Sequence, residues 1–205
     1  MKNTNKIILS VLTLLFGISS ALAGTVVDKD GNKYKTVKIG KQHWMAEDYR
    51  FEARLSTCAN YNDNPDNCVR KYAITSMKFD EWTHVCPAGW RLPTFEDIGE
   101  LILFFEPNVV NLSQKQKRHA GLKMSSKLRS RSWENGEDEY GFNAQPRESY
   151  AGGRDADAAI FAATGPSGFG GTTLYEFIIT TNAIFASQKD KLSAKDFYRI
   201  RCIEE

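Results

Sequence analysis

With 205 residues, 41% of them hydrophobic, the chain has one domain's worth of material for a core, and its formal net charge is only +2. A near-neutral chain with no basic cluster argues against nucleic acid as a partner, because such binding rests on neutralising phosphates.

The chain opens with a short basic region, Lys2 and Lys6, followed by the apolar run Ile7 to Ile18 and the tetrapeptide "ALAG". Small residues at Ala21 and Ala23 match a signal-peptidase site, and the apolar run is too short to span a bilayer. A buried amino-terminal helix would explain neither the lysines nor the Ala-x-Ala pattern. Residues 1–23 are therefore expected to be a signal peptide, cut between Ala23 and Gly24, with no cysteine after the cut to carry a lipid anchor. The leader holds two lysines and no acid, so removing its 23 residues leaves 182, with 25 basic and 25 acidic side chains in balance. No second apolar run reaches membrane length, so no span is expected after cleavage. The expected product is a single exported domain, residues 24–205, located in the periplasm, at the cell surface or outside the cell.

Residues 25–50 read as β-structure. "TVVD" leads into the turn signal "DKDGN", "KYKTVKI" alternates, and "GK" turns the chain into "QHWMAEDY", with Trp44 and Met45 expected in the core. Residues 51–70 form a turn-rich loop, and "RKYAITSMKFDEW" has mixed spacing compatible with a short helix. The clearest helix follows "RLP". Thr94 can cap it, Asp97 completes a capping box, Phe95, Ile98, Leu101, Ile102 and Phe105 keep helical spacing, and Pro107 ends it. "NLSQKQKRHAG" reads as a polar connection, and "LKMSSKLRSRSWENGEDEYGFNAQP" as a long loop region. "DAAIFAAT" and "LYEFIITTNAIFASQ" supply β-type runs, and "FYRIRCIEE" closes as a terminal strand. The class is α+β, with strands at both ends, one clear helix and long disulfide-tied loops.

Four cysteines in an exported chain point to disulfides, and four allow three pairings. Cys58 and Cys68 bracket "ANYNDNPDN", which folds back readily, so they are paired here, leaving Cys86 with Cys202. The longer bridge would tie the last strand to the middle of the chain.

Catalytic and metal constellations are weak. His43, His84 and His119 are scattered and stand in no zinc-binding frame. "GPSGFGG" lacks the Lys-Ser/Thr of a phosphate loop, and a plain flexible loop is the better reading. "NDNPDN", Asn62 to Asn67, offers oxygen ligands for calcium, yet its residues are also ordinary turn formers. "EPN", Glu106 to Asn108, matches a sugar-binding tripeptide of some calcium-dependent lectins but has no Trp-Asn-Asp partner. No catalytic residue, metal ligand or cofactor is therefore assigned.

One stretch has the composition of a ligand surface. "SWENGEDEYGF" sets Trp133 and Tyr140 among Glu134 and Asp138, and "GGRDADAA" adds Arg154 and Asp157. Aromatic rings can cover the CH faces of a sugar while carboxylates accept its hydroxyls. The preferred reading of "SWENGEDEYGF" is nonetheless a solvated acidic loop whose aromatics anchor it to the core, with the ligand surface as the alternative.

Read together, the motifs resemble a known family, the Fibrobacter succinogenes major paralogous domain. "DKDGNKYKTVKIGKQHWMAEDYRF" is similar to its Asp-Gly-x-x-Tyr-x-x-Val-x-Ile-Gly opening and following Trp-Met. "CVRKYAITSM", "CPAGWRLPTFEDIGEL", "EYGFNAQP" and "YRIRCI" resemble its later elements in order, and Cys-Pro-x-Gly-Trp-x-Leu-Pro is the specific one. The chain departs from the pattern at Asp48-Tyr49, where the family has Asn-Leu, and at Ile98, where a tryptophan is usual. The resemblance implies a C-type-lectin-like α+β fold and an exported protein, without naming an activity. The expected function is a non-enzymatic binding or adhesion module for a glycan or a surface protein, of unspecified oligomeric state. The alternatives are a degenerate enzyme related to the formylglycine-generating fold and a purely structural surface protein.

Overall fold

The computed structural model describes residues 24–52, 56–59, 69–72, 84–146, 158–168, 171–189 and 198–205. Among them the chain is a mixed α+β fold. The expected signal peptide, the calcium-type loop Asn62 to Asn67, and Arg154 and Asp157 lie outside the described residues.

β1 (Thr25–Val27), β2 (Lys33–Ile39) and β3 (Gln42–Met45) form the antiparallel ribbon expected from the alternating sequence. Lys33, Lys35 and Lys38 of β2 face solvent, while Tyr34, Val37 and Ile39 are buried. The "DKDGN" turn is built on the Asp28 carboxylate, which accepts from the backbone N–H groups of Asp30 (3.0 Å) and Asn32 (2.9 Å) and from the Tyr34 hydroxyl (2.7 Å). Gly31 supplies the positive φ of 85° that the turn requires.

β4 (Ser56–Ala59) and β5 (Val69–Tyr72) pair antiparallel. The segment expected to start a helix at Arg70 is thus strand over its first residues, because this pairing gives their backbone groups partners across the ladder. The expected Cys58–Cys68 bridge lies outside the described residues.

The "VCPAGWRLPT" corner turns on Gly89, at φ 76°, with the Trp90 N–H donating to the Pro87 carbonyl at 2.9 Å. It leads through β6 (Trp90–Arg91) to α1 (Phe95–Phe105), whose capping box between Thr94 and Asp97 forms as the sequence indicates. Arg91 adds a two-pronged ion pair to the Asp97 carboxylate, at 2.5 and 3.1 Å. Burial alone would raise the Asp97 carboxyl. The Arg91 and Thr94 hydrogen bonds outweigh it and hold the group below the usual carboxylate value.

The connection after α1 differs from the expected loop. Following a 3-10 turn at Val109–Asn111, a second helix, α2, spans Gln114–Leu128. Ser113 and Gln116 form its capping box, and its buried face is Ala120, Gly121, Met124, Ser125 and Leu128. That stripe contains only two large apolar residues, so the helical period is faint in the sequence. The small residues have a packing role: a Cβ on Gly121 would lie 2.5 Å from the Asn182 carbonyl oxygen, and Ser125 Oγ donates to the Thr181 carbonyl at 3.2 Å.

β7 (Ala158–Pro166), β8 (Thr172–Thr180) and β9 (Ile184–Gln188) make an antiparallel meander against which both helices pack. Between meander and ribbon lies an aromatic core. Trp44 meets Phe142 edge-on at 5.8 Å and Phe177 at 5.7 Å, and Phe161 completes the group. Each fully buried ring of this kind contributes about 1.5–3 kcal/mol through apolar burial.

β10 (Ile203–Glu204) inserts between β3 and β6, giving the sheet order β1-β2-β3-β10-β6. The Cys86–Cys202 disulfide, with a sequence separation of 116, joins the segment before β6 to the one before β10, as the sequence suggests. The preceding residues alternate, but both faces are covered. Tyr198, Ile200 and Cys202 enter one apolar cluster, while Arg199 and Arg201 are buried on the other side at 5% and 2% exposure. Asp48 receives both arginines, at 3.2 and 2.6 Å, and their remaining N–H groups reach the carbonyls of Gln145, Phe142 and Asn143. The Arg201 guanidinium also lies 4.7 Å from the Phe142 ring centre.

Candidate binding site

The acidic, aromatic segment after α2 is a wound cap on the end of that helix. The last turn of any α-helix leaves carbonyls without intrahelical partners. Here the N–H of Glu137 donates to the Ser126 carbonyl (2.7 Å), that of Glu139 to Lys127 (3.0 Å) and that of Ala144 to Leu128 (2.9 Å). Asn135, Asp138 and Asn143 adopt positive φ, a conformation that Asn and Asp tolerate better than most residues. Asp138 Oδ1 closes the turn by accepting from the Asn143 N–H at 2.6 Å. Gly136 lies against the Ser130 carbonyl, where any Cβ would collide with backbone.

This winding sends the two aromatic residues in different directions. Trp133 points inward, at 6% exposure, with the buried Arg129 guanidinium 5.4 Å from its ring centre. Arg129 in turn donates to the carbonyls of Glu134 and Asn135, and its Nε has no hydrogen-bond partner among the described residues. Trp133 is therefore an anchor for the loop, as the preferred reading of this stretch has it, and it forms no open platform beside Tyr140. The Glu134 side chain is exposed, and Asp138 is half-buried and committed to its turn.

Tyr140 is half-buried and turns toward the end of α1. Its ring packs edge-on against Phe104 (5.8 Å) and Phe105 (5.6 Å) at the end of α1. Together with Glu106, Lys123 and Lys127 these rings line a groove of about 190 Å³ between α1 and α2. Burial, with the neighbouring Glu139, raises the Tyr140 hydroxyl above its ordinary value, so it remains a neutral phenol able to donate or accept. Lys127 is paired with Glu139 and sits 5.8 Å from the Tyr140 ring centre. Glu106, from the "EPN" tripeptide, reaches the groove as the residue that ends α1.

Phe104 is 42% exposed and also borders a second recess of about 340 Å³, lined by Gly40, Lys41, Gln42, Glu100 and Leu103. Its ring is seated by Gly40, where a Cβ would come within 2.8 Å of it. The sequence held one usable signal. Phe104 lies off the face defined by Ile98, Leu101, Ile102 and Phe105, and a large aromatic outside the core stripe of a helix is a candidate contact residue.

The charge balance is also uneven. α2 carries Lys115, Lys117, Arg118, Lys123 and Lys127 and no acidic residue, which corrects the expectation of a chain without a basic cluster; Lys115, Arg118 and Lys123 lie on its exposed side. Of the scattered histidines, His43 pairs with Glu204 at 2.5 Å, and His119 lies exposed on α2. Among the described residues no helix is long and apolar enough to cross a membrane. No protein-family model, curated protein or solved structure matches the chain.

Proposed function

We propose that this protein is an exported, non-enzymatic binding module of the Fibrobacter succinogenes major paralogous type with a C-type-lectin-like fold. Its ligand, a glycan or a surface protein, occupies the groove beneath Phe104 and Tyr140. The observation that carries this reading is the pairing of those two rings, each partly open to solvent, on elements held by backbone hydrogen bonds and an aromatic core. An aromatic ring needs little reorganisation to cover an apolar ligand face, and a rigid support lowers the entropic cost of binding. The leader sequence and the disulfide between Cys86 and Cys202 support an oxidising compartment outside the cytoplasm.

The test is a glycan array and a surface-protein array probed with the oxidised, exported chain and with its Phe104→Ser and Tyr140→Ser variants. Saturable binding that both substitutions weaken supports the proposal. Absence of binding on both arrays, or binding indifferent to both substitutions, removes it.

A further inference from the structure

Building on that binding-module reading, we infer that the ligand is a polyanionic polysaccharide, its carboxylate or sulfate groups held by the exposed face of α2 and a sugar face by the Phe104–Tyr140 groove. At 100° per residue, Lys115, Arg118, His119, Leu122 and Lys123 share one side of α2, opposite the buried stripe. All five are exposed, and Lys123 also lines the groove, so cationic face and aromatic groove are continuous.

Lys115, Lys117, Arg118 and Lys123 make no ion pair among the described residues. Two of the acids nearby are otherwise engaged: Glu139 pairs with Lys127, and Glu137 accepts from Ser126 Oγ at 3.0 Å. Glu106 is the acid that faces the groove itself, opposite Lys123 and Lys127. Unpaired like charges on one helix face repel one another, and a bound polyanion relieves that repulsion while releasing its own counterions.

Spacing and apolar contacts narrow the ligand class. Lys115 and Lys123 are eight residues apart, about 12 Å along the helix axis, which suits an extended chain of repeated anions rather than a single small one. Leu122, 45% exposed between these cations, offers a surface for sugar CH groups. Nucleic acid is disfavoured by the rings themselves. Phe104 and Tyr140 meet at 77°, so they present no parallel pair on which successive bases stack.

Binding of the oxidised, exported chain is measured against polygalacturonate, dextran sulfate, neutral dextran and duplex DNA, at about 50 and about 200 mM salt. The expected result is binding to one or both charged polysaccharides, weakened by salt. It is reduced at least about tenfold by combined Lys115→Glu, Arg118→Glu and Lys123→Glu substitution and less by Lys123→Gln alone. Polygalacturonate against dextran sulfate separates carboxylate from sulfate recognition. Equal affinity for neutral dextran, equal affinity for DNA, or indifference to charge reversal overturns the inference. If neutral glycans or proteins still bind in a Tyr140-dependent way, only the polyanion inference falls; if nothing binds, the module reading falls with it.

Discussion

Asp48 Oδ1 accepts a hydrogen bond from Arg201 Nε at 2.6 Å, joining the loop after β3 to a residue 153 positions further along the chain. Arg199 takes the other carboxylate oxygen at 3.2 Å, and both guanidinium groups continue to the carbonyls of residues 142–145. That carbonyl segment follows directly from Tyr140. The ion cluster therefore ties the amino-terminal ribbon, the closing strand and the loop bearing the groove to a single point.

Removing the carboxylate takes a charged partner from two nearly buried cations, Arg199 and Arg201. Asp48→Asn is expected to destabilise the protein by about 3–5 kcal/mol, the usual consequence of breaking a buried pair from one side. Urea unfolding followed by tryptophan fluorescence measures it. A loss below about 1 kcal/mol would show that the two arginines are held well enough without Asp48.

The same carboxylate sets a pH dependence. Burial by itself would raise the Asp48 pKa, but Arg201 and Arg199 outweigh it and lower it below the ordinary value. The unfolded chain then binds more protons than the native one near pH 4, so stability rises with pH there. The contribution is complete above the unfolded carboxylate value of about 3.9 and is lost as pH falls through the lower, folded one. Denaturation midpoints measured across this acid range should fall more steeply in the wild type than in Asp48→Asn. Parallel curves would assign the acid sensitivity to Asp28 and Asp97, whose carboxyls are also held low.

The disulfide closes a long loop, with Cys86 and Cys202 separated by 116 positions in sequence. Chain-entropy reasoning gives about 4.7 kcal/mol for a loop near that length. Cys86→Ser with Cys202→Ser should lower stability by a few kcal/mol and loosen β10, seen as faster amide exchange at Ile203. Thiol titration of the native wild type should find neither Cys86 nor Cys202 free. A reactive thiol at either position would reopen the enzyme reading.

Gly121 gives a prediction opposed to helix propensity. Alanine in place of glycine inside a helix normally adds up to about 1 kcal/mol. Here the new Cβ would lie 2.5 Å from the Asn182 carbonyl oxygen, part of the turn between β8 and β9. Backbone must shift, at a cost of about 1–3 kcal/mol. Gly121→Ala should therefore lower the melting temperature, whereas a rise would mean that α2 and that turn sit further apart.

Local signals made much of the fold legible. Thr94 and Asp97 announce α1, the β2 alternation announces the ribbon, and cysteine placement announces the Cys86–Cys202 bridge. α2 was obscured because its buried stripe uses Gly121 and Ser125 to approach a turn, which leaves little hydrophobic period; the Ser113–Gln116 capping box was its one overt mark. At the site, composition singled out the loop bearing Trp133 and Tyr140, but acidic neighbours do not reveal which way a ring points. Winding against the end of α2 turns Trp133 inward and brings Tyr140 to Phe104, a tertiary pairing that no local pattern encodes.

Ligand binding at that pairing is tested most directly by comparing the oxidised wild-type chain with its Tyr140→Ser variant on one glycan and surface-protein array. Circular dichroism of both proteins confirms that they are equally folded. Saturable binding by the wild type, weakened at least about tenfold in the variant, is the expected result, since a lost aromatic anchor typically costs 2 kcal/mol or more. Equal binding by the two folded proteins, or binding by neither, would contradict a functional groove at Phe104 and Tyr140.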